Sequence, residues 1–557
     1  MSNRHMDSRT GRREFLQALT AGGCLLTPAA RALAGTVDSP SVLSGTQVRL
    51  TIEPLPVSIT GRPRVATAVN GSVPGPILRL PEGEAVTLEV ANRLPVPTSI
   101  HWHGVRLPAD QDGVPGLSFQ GIAPGETFRY RFPIRQRGTY WYHAHSQMQE
   151  QTGLYGALVL VPQRPEPYAF DREHVVLLSD WSDEAPMRIL ANLKQESDYY
   201  NPARRTLGTF VRDVRREGFG ATLRERWMWG AMRMSPTDIA DVSGTTYTFL
   251  TNGRTPGENW TGLFRPGETL RLRLINGSSM TNFDVRIPGL AVTVVAADGA
   301  DVAPVTVDEL RIGVAETYDV LVQPGANAYT LFAQAQDRSG FARGTLAPRI
   351  GMTAAVPALD PRALRTMADM RMSASTMADR PGMRDSGAMA DMPGMAHVPA
   401  APGAPAGSRL AEPGEGLQGN GRRVLTYADL RALRPLAGRA PERQIEFHLT
   451  GNMQRYVWGF DGRKFSESTP VELRLGERVR FVLVNDTMME HPIHLHGFLF
   501  ALDNGHGGRC PLKHTVLVKP AERMSFAFTA DTPGDWAFHC HLLYHMESGM
   551  FRTVRVT

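Results

Sequence analysis

Three stretches of the chain repeat one pattern, and this repeat constrains the fold more than any other feature of the sequence. In each, a Gly-Glu turn is followed by alternating apolar and polar residues that end in asparagine, and a tight-turn dipeptide stands upstream. The stretches are Pro81–Asn92, Arg265–Asn276 and Leu475–Asn485, and the dipeptides are Asn70-Gly71, Asn252-Gly253 and Asp461-Gly462. A period of two residues is typical of a half-buried β-strand, and such dipeptides favour tight turns between strands. We therefore expect three related β-sandwich domains.

Chain length and composition agree with this repeat. A chain of 557 residues is too long for a single hydrophobic core, and 54 glycines and 41 prolines favour turn-rich, all-β structure. We place domain 1 at 44–163, domain 2 at 164–350 and domain 3 at 425–557. Helical insertions are expected in domain 2 at 185–199 and 206–229. The arginines of the second insertion favour a solvent-exposed helix face over a helix on a membrane surface.

Half of the 16 histidines occur in pairs separated by one residue. The four pairs are His101/His103, His143/His145, His494/His496 and His539/His541. Two pairs lie in domain 1 and two in domain 3, whereas the corresponding strand of domain 2, at 328–336, contains no histidine. We therefore predict that domains 1 and 3 share a metal site and that domain 2 acts as a spacer. A tetrahedral zinc site would need only four ligands, so the number of histidines argues for several metal ions.

The last pair encloses a cysteine, Cys540. Along a β-strand, residues i and i+2 point to one face and residue i+1 to the other, so this segment could join two metal sites through one short peptide. Two histidines, a cysteine and a weak axial methionine are typical of a blue-copper electron-transfer site. The candidates for these ligands are His491, Cys540, His545 and Met550. A buried cysteine beside core histidines is the simpler alternative, but it leaves the other pairs unexplained. One such site and a three-copper site would use all these residues, for a total of four copper ions.

The N-terminus indicates export. Arg12-Arg13, an apolar run and Ala32-Leu33-Ala34 predict a twin-arginine signal peptide at 1–34 and a periplasmic location. The run is too short for a membrane anchor, and the sequence around Cys24 disfavours lipid attachment. Most of the formal charge of +5 comes from this segment, so the mature chain gives no indication of a nucleic-acid partner.

Residues 351–424 are rich in Pro, Gly, Ala and Met with little periodicity, which predicts a mobile linker or lid. Thioethers are soft ligands that select Cu(I), so the methionines are candidates for accessory Cu(I) binding. The simpler alternative is a flexible connector. The methionines are Met367, Met370, Met372, Met377, Met383, Met389, Met392 and Met395.

A second group of candidate ligands surrounds the lone cysteine Cys510. Together with His506 and His514 it could form an accessory metal site. A plain loop between two strands is the preferred interpretation, because two glycines and a proline break any helix that would align the three residues.

Four histidine-containing segments resemble the copper-binding signatures of the multicopper oxidases. They are His101-Trp-His-Gly104, His143-Ala-His145, His491-Pro-Ile-His-Leu-His-Gly497 and His539-Cys-His541 with His545 and Met550. Further segments and the Met-rich linker resemble the periplasmic copper-resistance members, the copper resistance protein A family. Those segments begin at Asp112, Glu150, Met234 and His541. The resemblance covers nearly the whole chain and implies three cupredoxin-like domains.

The resemblance also implies a ligand set and an electron path. The type 1 copper would be bound by His491, Cys540, His545 and Met550, the type 2 copper by His101 and His494, one type 3 copper by His103, His143 and His541, and the other by His145, His496 and His539. Electrons would be taken singly from substrate and pass through Cys540 to His539 and His541, and four would reduce dioxygen to two waters. Asp112 and Glu547 are the candidate proton relays.

Three functions compete at this point. The preferred one is a cuprous oxidase, for which Cu(I) and dioxygen are the substrates. The alternatives are a laccase-like enzyme that oxidises phenols and a copper-sequestering protein that acts through its Met-rich segment. We expect periplasmic copper-delivery proteins as partners and no stable membrane anchor. A monomer is expected because the shared site can close within one chain.

Overall fold

The computed structural model describes residues 40–231, 234–366, 369 and 407–557. The signal peptide predicted at 1–34 and the eight methionines of the predicted linker lie outside these residues. The described chain forms six β-sheets, two in each of three cupredoxin-like domains. This confirms the all-β, three-domain expectation.

Domain 1 contains nine strands. They are β1 (Val42–Ser44), β2 (Gln47–Val57), β3 (Arg64–Val69), β4 (Ile77–Pro81), β5 (Ala85–Asn92), β6 (His101–His103), β7 (Thr127–Pro133), β8 (Gly138–His143) and β9 (Tyr155–Val161). One sheet has the order β1-β4-β9-β8-β6 and the other β3-β2-β5-β7. The strands β6 and β8 are antiparallel, and their register places His101 opposite His143 at one edge. Two of the histidine pairs therefore start from neighbouring strands.

Domain 2 contains eleven strands and three helices. The strands are β10 (Arg172–Ser182), β11 (Tyr247–Thr251), β12 (Trp260–Leu263), β13 (Leu270–Asn276), β14 (Phe283–Arg286), β15 (Val292–Ala297), β16 (Ala300–Val307), β17 (Glu309–Ile312), β18 (Thr317–Val322), β19 (Tyr329–Ala335) and β20 (Phe341–Ala347). The helices are α1 (Pro186–Gln195), α2 (Leu207–Glu217) and α3 (Phe219–Ala231). The sheets run β11-β10-β13-β18-β15-β16 and β12-β20-β19-β14-β17. The second predicted helix is thus two helices, because Gly218 adopts a φ of 87°, outside helical geometry.

Domain 3 also contains eleven strands. They are β21 (Arg443–Asn452), β22 (Val457–Phe460), β23 (Val471–Leu473), β24 (Arg478–Asn485), β25 (His491–Leu495), β26 (Phe500–Leu502), β27 (Leu512–Lys513), β28 (Thr515–Val518), β29 (Arg523–Thr529), β30 (Gly534–Cys540) and β31 (Phe551–Val556), with a short helix α4 (Leu543–Glu547) after β30. The sheets run β22-β21-β24-β29-β26-β27 and β23-β31-β30-β25-β28. Strand β30 lies between β25 and β31, so His539 lies opposite His494 on one side and Phe551 on the other.

The repeat seen in the sequence has a structural counterpart. Strands β5, β13 and β24 each pair in parallel with the first long strand of their domain. The asparagine that ends each strand donates from Nδ2 to a distant carbonyl: Asn92 to Ile122 at 2.8 Å, Asn276 to Ile312 at 3.0 Å and Asn485 to Val518 at 3.0 Å. The side-chain oxygen accepts from the backbone two residues on in all three, as in an Asx-turn. This geometry, shared by the three domains, positions the segments that follow β5 and β24, where the histidine pairs begin.

Both ends of the linker predicted at 351–424 contain buried residues. Leu410 and Leu417 are buried, and so is Arg365. The guanidinium of Arg365 lies 2.9 Å from the carboxylate of Glu415. These contacts supply the apolar burial and charge pairing that the composition of the segment had argued against.

Candidate metal centre

The first cluster consists of His491, Cys540 and His545, whose ligand atoms all lie within 4.8 Å of one another. The Sγ atom of Cys540 is 3.5 Å from Nδ1 of His491 and 3.7 Å from Nδ1 of His545. Met550 is fully buried, and its carbonyl accepts a hydrogen bond from the Cys540 amide at 3.1 Å. Burial raises the pKa of the Cys540 thiol. A cysteine, two histidines and an axial methionine are the donor set of a blue-copper site.

The outer nitrogens of these two histidines have defined partners. Nε2 of His491 donates to the hydroxyl of Thr487 at 2.7 Å, and Nε2 of His545 donates to Oδ2 of Asp241 at 2.6 Å. The hydroxyl of Tyr456 also donates to Oδ2 of Asp241, at 2.7 Å. Both histidines therefore keep Nδ1 directed at Cys540, which is the orientation that a shared metal ion requires.

The second cluster contains all eight paired histidines, drawn from domains 1 and 3. They form the groups His101/His494/His496, His103/His143/His541 and His145/His496/His539, and each group could hold a metal ion. Contacts between the domains are short: Nε2 of His541 is 3.3 Å from Nε2 of His143. Within domain 3, Nε2 of His496 is 3.0 Å from Nε2 of His539. The domain interface thus gathers the predicted site residues into one centre.

Acceptors outside this cluster orient the rings. Nδ1 of His496 donates to the carboxylate of Asp112 at 2.7 Å, and Nδ1 of His101 lies 2.8 Å from the carbonyl of the same residue. Nδ1 of His143 lies 2.5 Å from Oε2 of Glu150. Ligating histidines usually hold their second nitrogen in this way.

The inward-facing nitrogens provide a test of whether copper fits. Nε2 of His101, His145 and His494 has no hydrogen-bond partner among the described residues, although all three atoms are buried. Buried polar atoms are nearly always paired. A metal ion bound between these Nε2 atoms would supply the missing partner. Neutral imidazole suits copper, and the residues fit the metal.

The protonation of the cluster suits metal binding as well. Burial, and then the neighbouring imidazoles, hold the pKa of most of these histidines well below the ordinary value; they are His103, His143, His145, His494, His496 and His541. Burial also lowers the pKa of His539 to about 4. These seven rings are therefore neutral at physiological pH, as ligation requires.

One peptide connects the two clusters. Cys540 groups with His491, whereas its neighbours His539 and His541 belong to the histidine cluster. Strand β30 holds this arrangement, because Ile493 pairs with Cys540 and the His541 amide donates to the carbonyl of Pro492 at 2.6 Å. The two sites are joined through covalent bonds of adjacent residues.

Two residues with contacts to these clusters were missed as site residues in the sequence, and a third, His514, was predicted with other partners. Glu150 is buried against His143, Asp241 reaches His545 from domain 2, and His514 groups with His103 and His494. Glu150 opens a segment already singled out for its resemblance, and an acidic residue five positions after His145 was an available signal. Asp241 gave no signal, since 304 residues separate it from its partner.

The remaining candidates fall outside the clusters. Glu547 is exposed and lines a cleft of about 390 Å³ that reaches His145, so it lies at an opening of the histidine cluster. Cys510 is buried and His506 donates to the carbonyl of Ala428 at 2.8 Å. Neither Cys510 nor His506 belongs to any potential metal group among the described residues. This agrees with the interpretation of the segment as a loop.

Comparison with known proteins decides the family. The multicopper oxidase family matches the chain at residues 51–165, 172–350 and 438–557. The chain belongs to the multicopper oxidase family. It is 54% identical to a copper resistance protein A homolog of Pseudomonas syringae pv. tomato, over 99% of this chain and 100% of the relative. It is 51% identical to copper resistance protein A of Escherichia coli, over 98% and 99% of the two chains.

Solved structures agree with this fold. The multicopper oxidase Fet3p, which functions in iron import, superposes with a TM-score of 0.65 at 20% identity, over 92% of this chain and 90% of that chain. Membership of the multicopper oxidases implies copper cofactors, dioxygen and a reductant. Within the described residues, helices are too short or too polar to cross a membrane.

Proposed function

We propose that this multicopper oxidase oxidises Cu(I). Four Cu(I) ions, one dioxygen and four protons would give four Cu(II) ions and two waters. The observation that carries the proposal is the environment of Asp241, the carboxylate that holds His545. It lines a small cavity that Met280 and Met489 also line, next to the histidine from which electrons would enter.

The proposed resident coppers use the groups described above. We assign a type 1 copper to His491, Cys540, His545 and Met550, a type 2 copper to His101 and His494, one type 3 copper to His103, His143 and His541, and another to His145, His496 and His539. The spatial groups support these sets. When bound, four such coppers would accept electrons singly and reduce dioxygen by four electrons.

The cavity suits a soft cation in size and in chemistry. Its volume is about 20 Å³, enough for one water-sized species. Thioethers favour Cu(I). One carboxylate oxygen each of Asp241, Asp337 and Glu490 is buried without a hydrogen-bond partner among the described residues. These carboxylates would balance the charge of a bound Cu(I) ion and of the Cu(II) ion formed from it. A buried anionic oxygen without a partner is costly, so a cation would stabilise this cavity.

Direct access of a phenol to His545 is not supported by the described residues. The ring of His545 is fully buried, and Trp458 stacks on it at 3.9 Å between ring centroids. A phenol ring exceeds a water-sized cavity several-fold. The geometry therefore favours the cuprous-oxidase function over the laccase-like alternative.

The described residues that flank the Met-rich segment lie near this cavity. The amide of Arg365 donates to the carbonyl of Pro236 at 2.9 Å, and Pro236 lies on the loop that carries Asp241. Glu415, on the returning side, pairs with Arg365. We propose that the methionines of the segment capture Cu(I) and deliver it to Met280 and Met489, which combines the oxidase and copper-binding hypotheses.

Protons for dioxygen reduction would pass through buried carboxyls near the histidine cluster. Asp112 contacts His496 and His101, and Glu150 contacts His143. Burial, and then the charge of Asp180, raises the pKa of Glu150 well above its ordinary value, which favours its protonated form. The cleft at His145 would admit dioxygen and release water.

We also propose that the protein is exported by the twin-arginine route and acts in the periplasm as a monomer. The Arg12-Arg13 pattern and the Ala32-Leu33-Ala34 site support export. Domains 1 and 3 of one chain already complete the histidine cluster, which supports a monomer. Copper-delivery proteins of the periplasm would supply the reductant.

Oxygen uptake by the copper-loaded mature protein, with a Cu(I) complex as sole reductant, tests the function. We expect saturable uptake with formation of Cu(II), and its loss in Cys540→Ser. A protein shown to hold four coppers that consumes no dioxygen with Cu(I) would contradict the proposal. Oxidation of phenols by that protein would then support a laccase, and its absence would leave copper sequestration.

The cavity has its own test. Met280→Leu and Met489→Leu keep the side-chain volume but remove a soft ligand. We expect the KM for Cu(I) to rise about tenfold in each, the effect of losing roughly 1.4 kcal/mol of binding, with oxidation of ferrocyanide unchanged. Met524→Leu is the control, because Met524 is buried in β29 and does not line the cavity. Equal KM values in all three variants would place Cu(I) elsewhere.

Deletion of 370–404 tests the segment while keeping Arg365 and Arg409. We expect oxidation of Cu(I) to fall at low Cu(I) concentration while ferrocyanide oxidation is kept. Lost copper-binding capacity with full Cu(I) turnover would indicate storage only, and faster phenol oxidation would indicate a lid over a laccase site.

A further inference from the structure

The helices α2 and α3 of domain 2 form a hairpin that exposes large apolar side chains. Helix α2 contains no buried residue, and α3 buries only Thr222 and Trp229. Phe219, Leu223 and Trp227 of α3 are 60%, 48% and 78% exposed. Their spacing of four residues places them on one face of the helix, and we call them the apolar stripe. Neighbouring apolar side chains that are left exposed in this way mark an interaction surface.

Other residues hold the hairpin together. The guanidinium of Arg226 in α3 donates to Oδ2 of Asp213 in α2 at 2.7 Å and lies 5.5 Å from the ring centroid of Phe210. The ring of Phe210 also approaches that of Phe219, at 6.1 Å between centroids. The packing of α2 on α3 therefore rests on the inner contacts of Arg226 and Phe210, and the exposed part of Trp227 is available to a partner.

The hairpin is also cationic. Residues 204–231 contain seven arginines and three acidic residues, a net charge of +4. Some of these arginines pair with acidic residues of the hairpin; they are Arg205, Arg216 and Arg226. By contrast, Arg212, Arg215 and Arg224 are exposed, and their guanidinium groups have no hydrogen bond or ion pair among the described residues. Free guanidinium groups beside an apolar stripe favour a partner that is both anionic and apolar.

We propose that the hairpin docks on the surface of a membrane that contains anionic phospholipids. Trp, Phe and Leu beside arginines are typical of helices that lie in the lipid headgroup region, and guanidinium groups bind phosphate oxygens. A second copy of the chain fits less well, because two cationic hairpins repel each other. The arginines alone favoured a solvent-exposed helix face, but they do not account for the exposed apolar stripe. Such docking is peripheral and does not require a membrane anchor.

The docking surface is adjacent in the chain to the proposed Cu(I) cavity. Helix α3 ends at Ala231, and the loop that follows it carries Asp241, which lines the cavity. The amide of Met234 on this loop donates to the carbonyl of Trp229, in the last turn of α3, at 3.1 Å. Docking would therefore bring the oxidation of Cu(I) close to the membrane. The inference rests on the proposed export for the membrane that the protein meets, and it is independent of every copper site.

Co-sedimentation of the copper-loaded mature protein with lipid vesicles tests the charge of the surface. We expect binding to vesicles of phosphatidylcholine with about 30% phosphatidylglycerol, weakened by salt, and binding at least about tenfold weaker to phosphatidylcholine alone. The triple variant Arg212→Gln/Arg215→Gln/Arg224→Gln should bind the anionic vesicles about 100-fold more weakly, roughly fivefold for each arginine. The matched control has the same net charge and changes arginines that are exposed outside the hairpin: Arg62→Gln/Arg349→Gln/Arg434→Gln.

A second pair of variants tests the apolar stripe. Leu223→Gln/Trp227→Gln should weaken binding to the anionic vesicles about tenfold, because less apolar surface leaves water on docking. Ile350→Gln/Leu475→Gln is the control, since both side chains are exposed outside the hairpin. All of these positions are exposed, so the variants should fold. Equal binding by the hairpin variants and their controls would overturn the proposal.

Other occupants of this face give different results. A wild-type protein that does not bind the anionic vesicles would overturn the proposal and leave an acidic protein as the partner. A dimer that sedimentation velocity detects, and that the hairpin variants abolish, would assign the face to a second copy. Binding that appears only after deletion of 370–404 would assign it to the chain's own Met-rich segment. Both of these results would also overturn the proposal.

Oxygen uptake separates this proposal from the proposed oxidase function. With a soluble Cu(I) complex and no vesicles, the hairpin variants should consume dioxygen as fast as the wild type. Loss of vesicle binding with full uptake therefore concerns docking alone, whereas absence of uptake in the wild type would contradict the oxidase function and leave the vesicle result intact.

Discussion

The carboxylate of Asp112 in domain 1 accepts a hydrogen bond from Nδ1 of His496 in domain 3 at 2.7 Å, across 384 residues of sequence. Its other oxygen lies 3.2 Å from Nδ1 of His101. Asp112, which is fully buried, therefore orients a ring from each domain, His496 through its carboxylate and His101 through its backbone carbonyl. The histidine cluster takes its shape only when the two domains are docked, which couples metal binding to the tertiary structure.

Asp112→Asn should weaken the centre while it preserves the shape of the side chain. An amide keeps one acceptor oxygen for His496, but it removes the negative charge that the carboxylate places beside Nδ1 of His496 and of His101. We expect copper affinity or oxygen consumption to fall about 10- to 100-fold, measured as copper per chain and as oxygen uptake. Asp110→Asn is the control, since Asp110 is exposed in the same turn. Equal losses in both variants would contradict the role of Asp112.

Local patterns in the sequence predicted the strands and the histidine pairs, because both depend on neighbours along the chain. The alternation around Cys540 is of this kind, and so is the repeat that ends at Asn92. Asp241 could not be predicted, since its contact with His545 exists only after domain 2 packs on domain 3. The sequence grouped His514 with its neighbours Cys510 and His506. In the structure its partners are His103 and His494, which are distant in sequence. Long-range docking is what a single sequence leaves undetermined.

Glu150→Gln should separate electron transfer from proton supply. Glutamine keeps a hydrogen bond to His143 but holds no exchangeable acid proton. We expect reduction of the blue site by ferrocyanide without oxygen to be unchanged and turnover with oxygen to slow about 100-fold. The two rates are measured by stopped-flow absorption and by oxygen uptake.

Glu547→Gln is the companion variant for that experiment. Glu547 is exposed at the cleft, so its loss should change turnover far less than loss of Glu150. A larger effect at Glu547 than at Glu150 would favour Glu547, one of the two relay candidates predicted from the sequence.

Lys513→Met should destabilise the packing of domain 2 against domain 3. The buried ammonium of Lys513 lies 3.1 Å from Oδ2 of Asp298 and 2.9 Å from Oε1 of Glu316. Its removal leaves two buried carboxylates uncompensated, which should cost about 3–5 kcal/mol, seen as a lower urea midpoint of the metal-free protein. Lys464→Met, at an exposed position, should change stability by less than about 0.5 kcal/mol. A midpoint for Lys513→Met that matches the control would exclude a stabilising charge cluster.

Acid should destabilise the protein through Asp284. Burial alone would raise its pKa, but Arg311 and Arg338 overcome that effect and hold the pKa below the ordinary value; the carboxylate lies 2.8 Å from Nε of Arg311 and 2.6 Å from Nη1 of Arg338. The folded group stays ionised where the unfolded one, with a pKa of about 3.9, takes up a proton. Its contribution to stability is therefore complete above about pH 4 and is lost as the pH falls through the lowered pKa. Asp284→Asn should be less stable at pH 7, and its urea midpoint should change less than that of the wild type between pH 4 and pH 2. The same acid dependence in both proteins would assign the effect to other carboxylates.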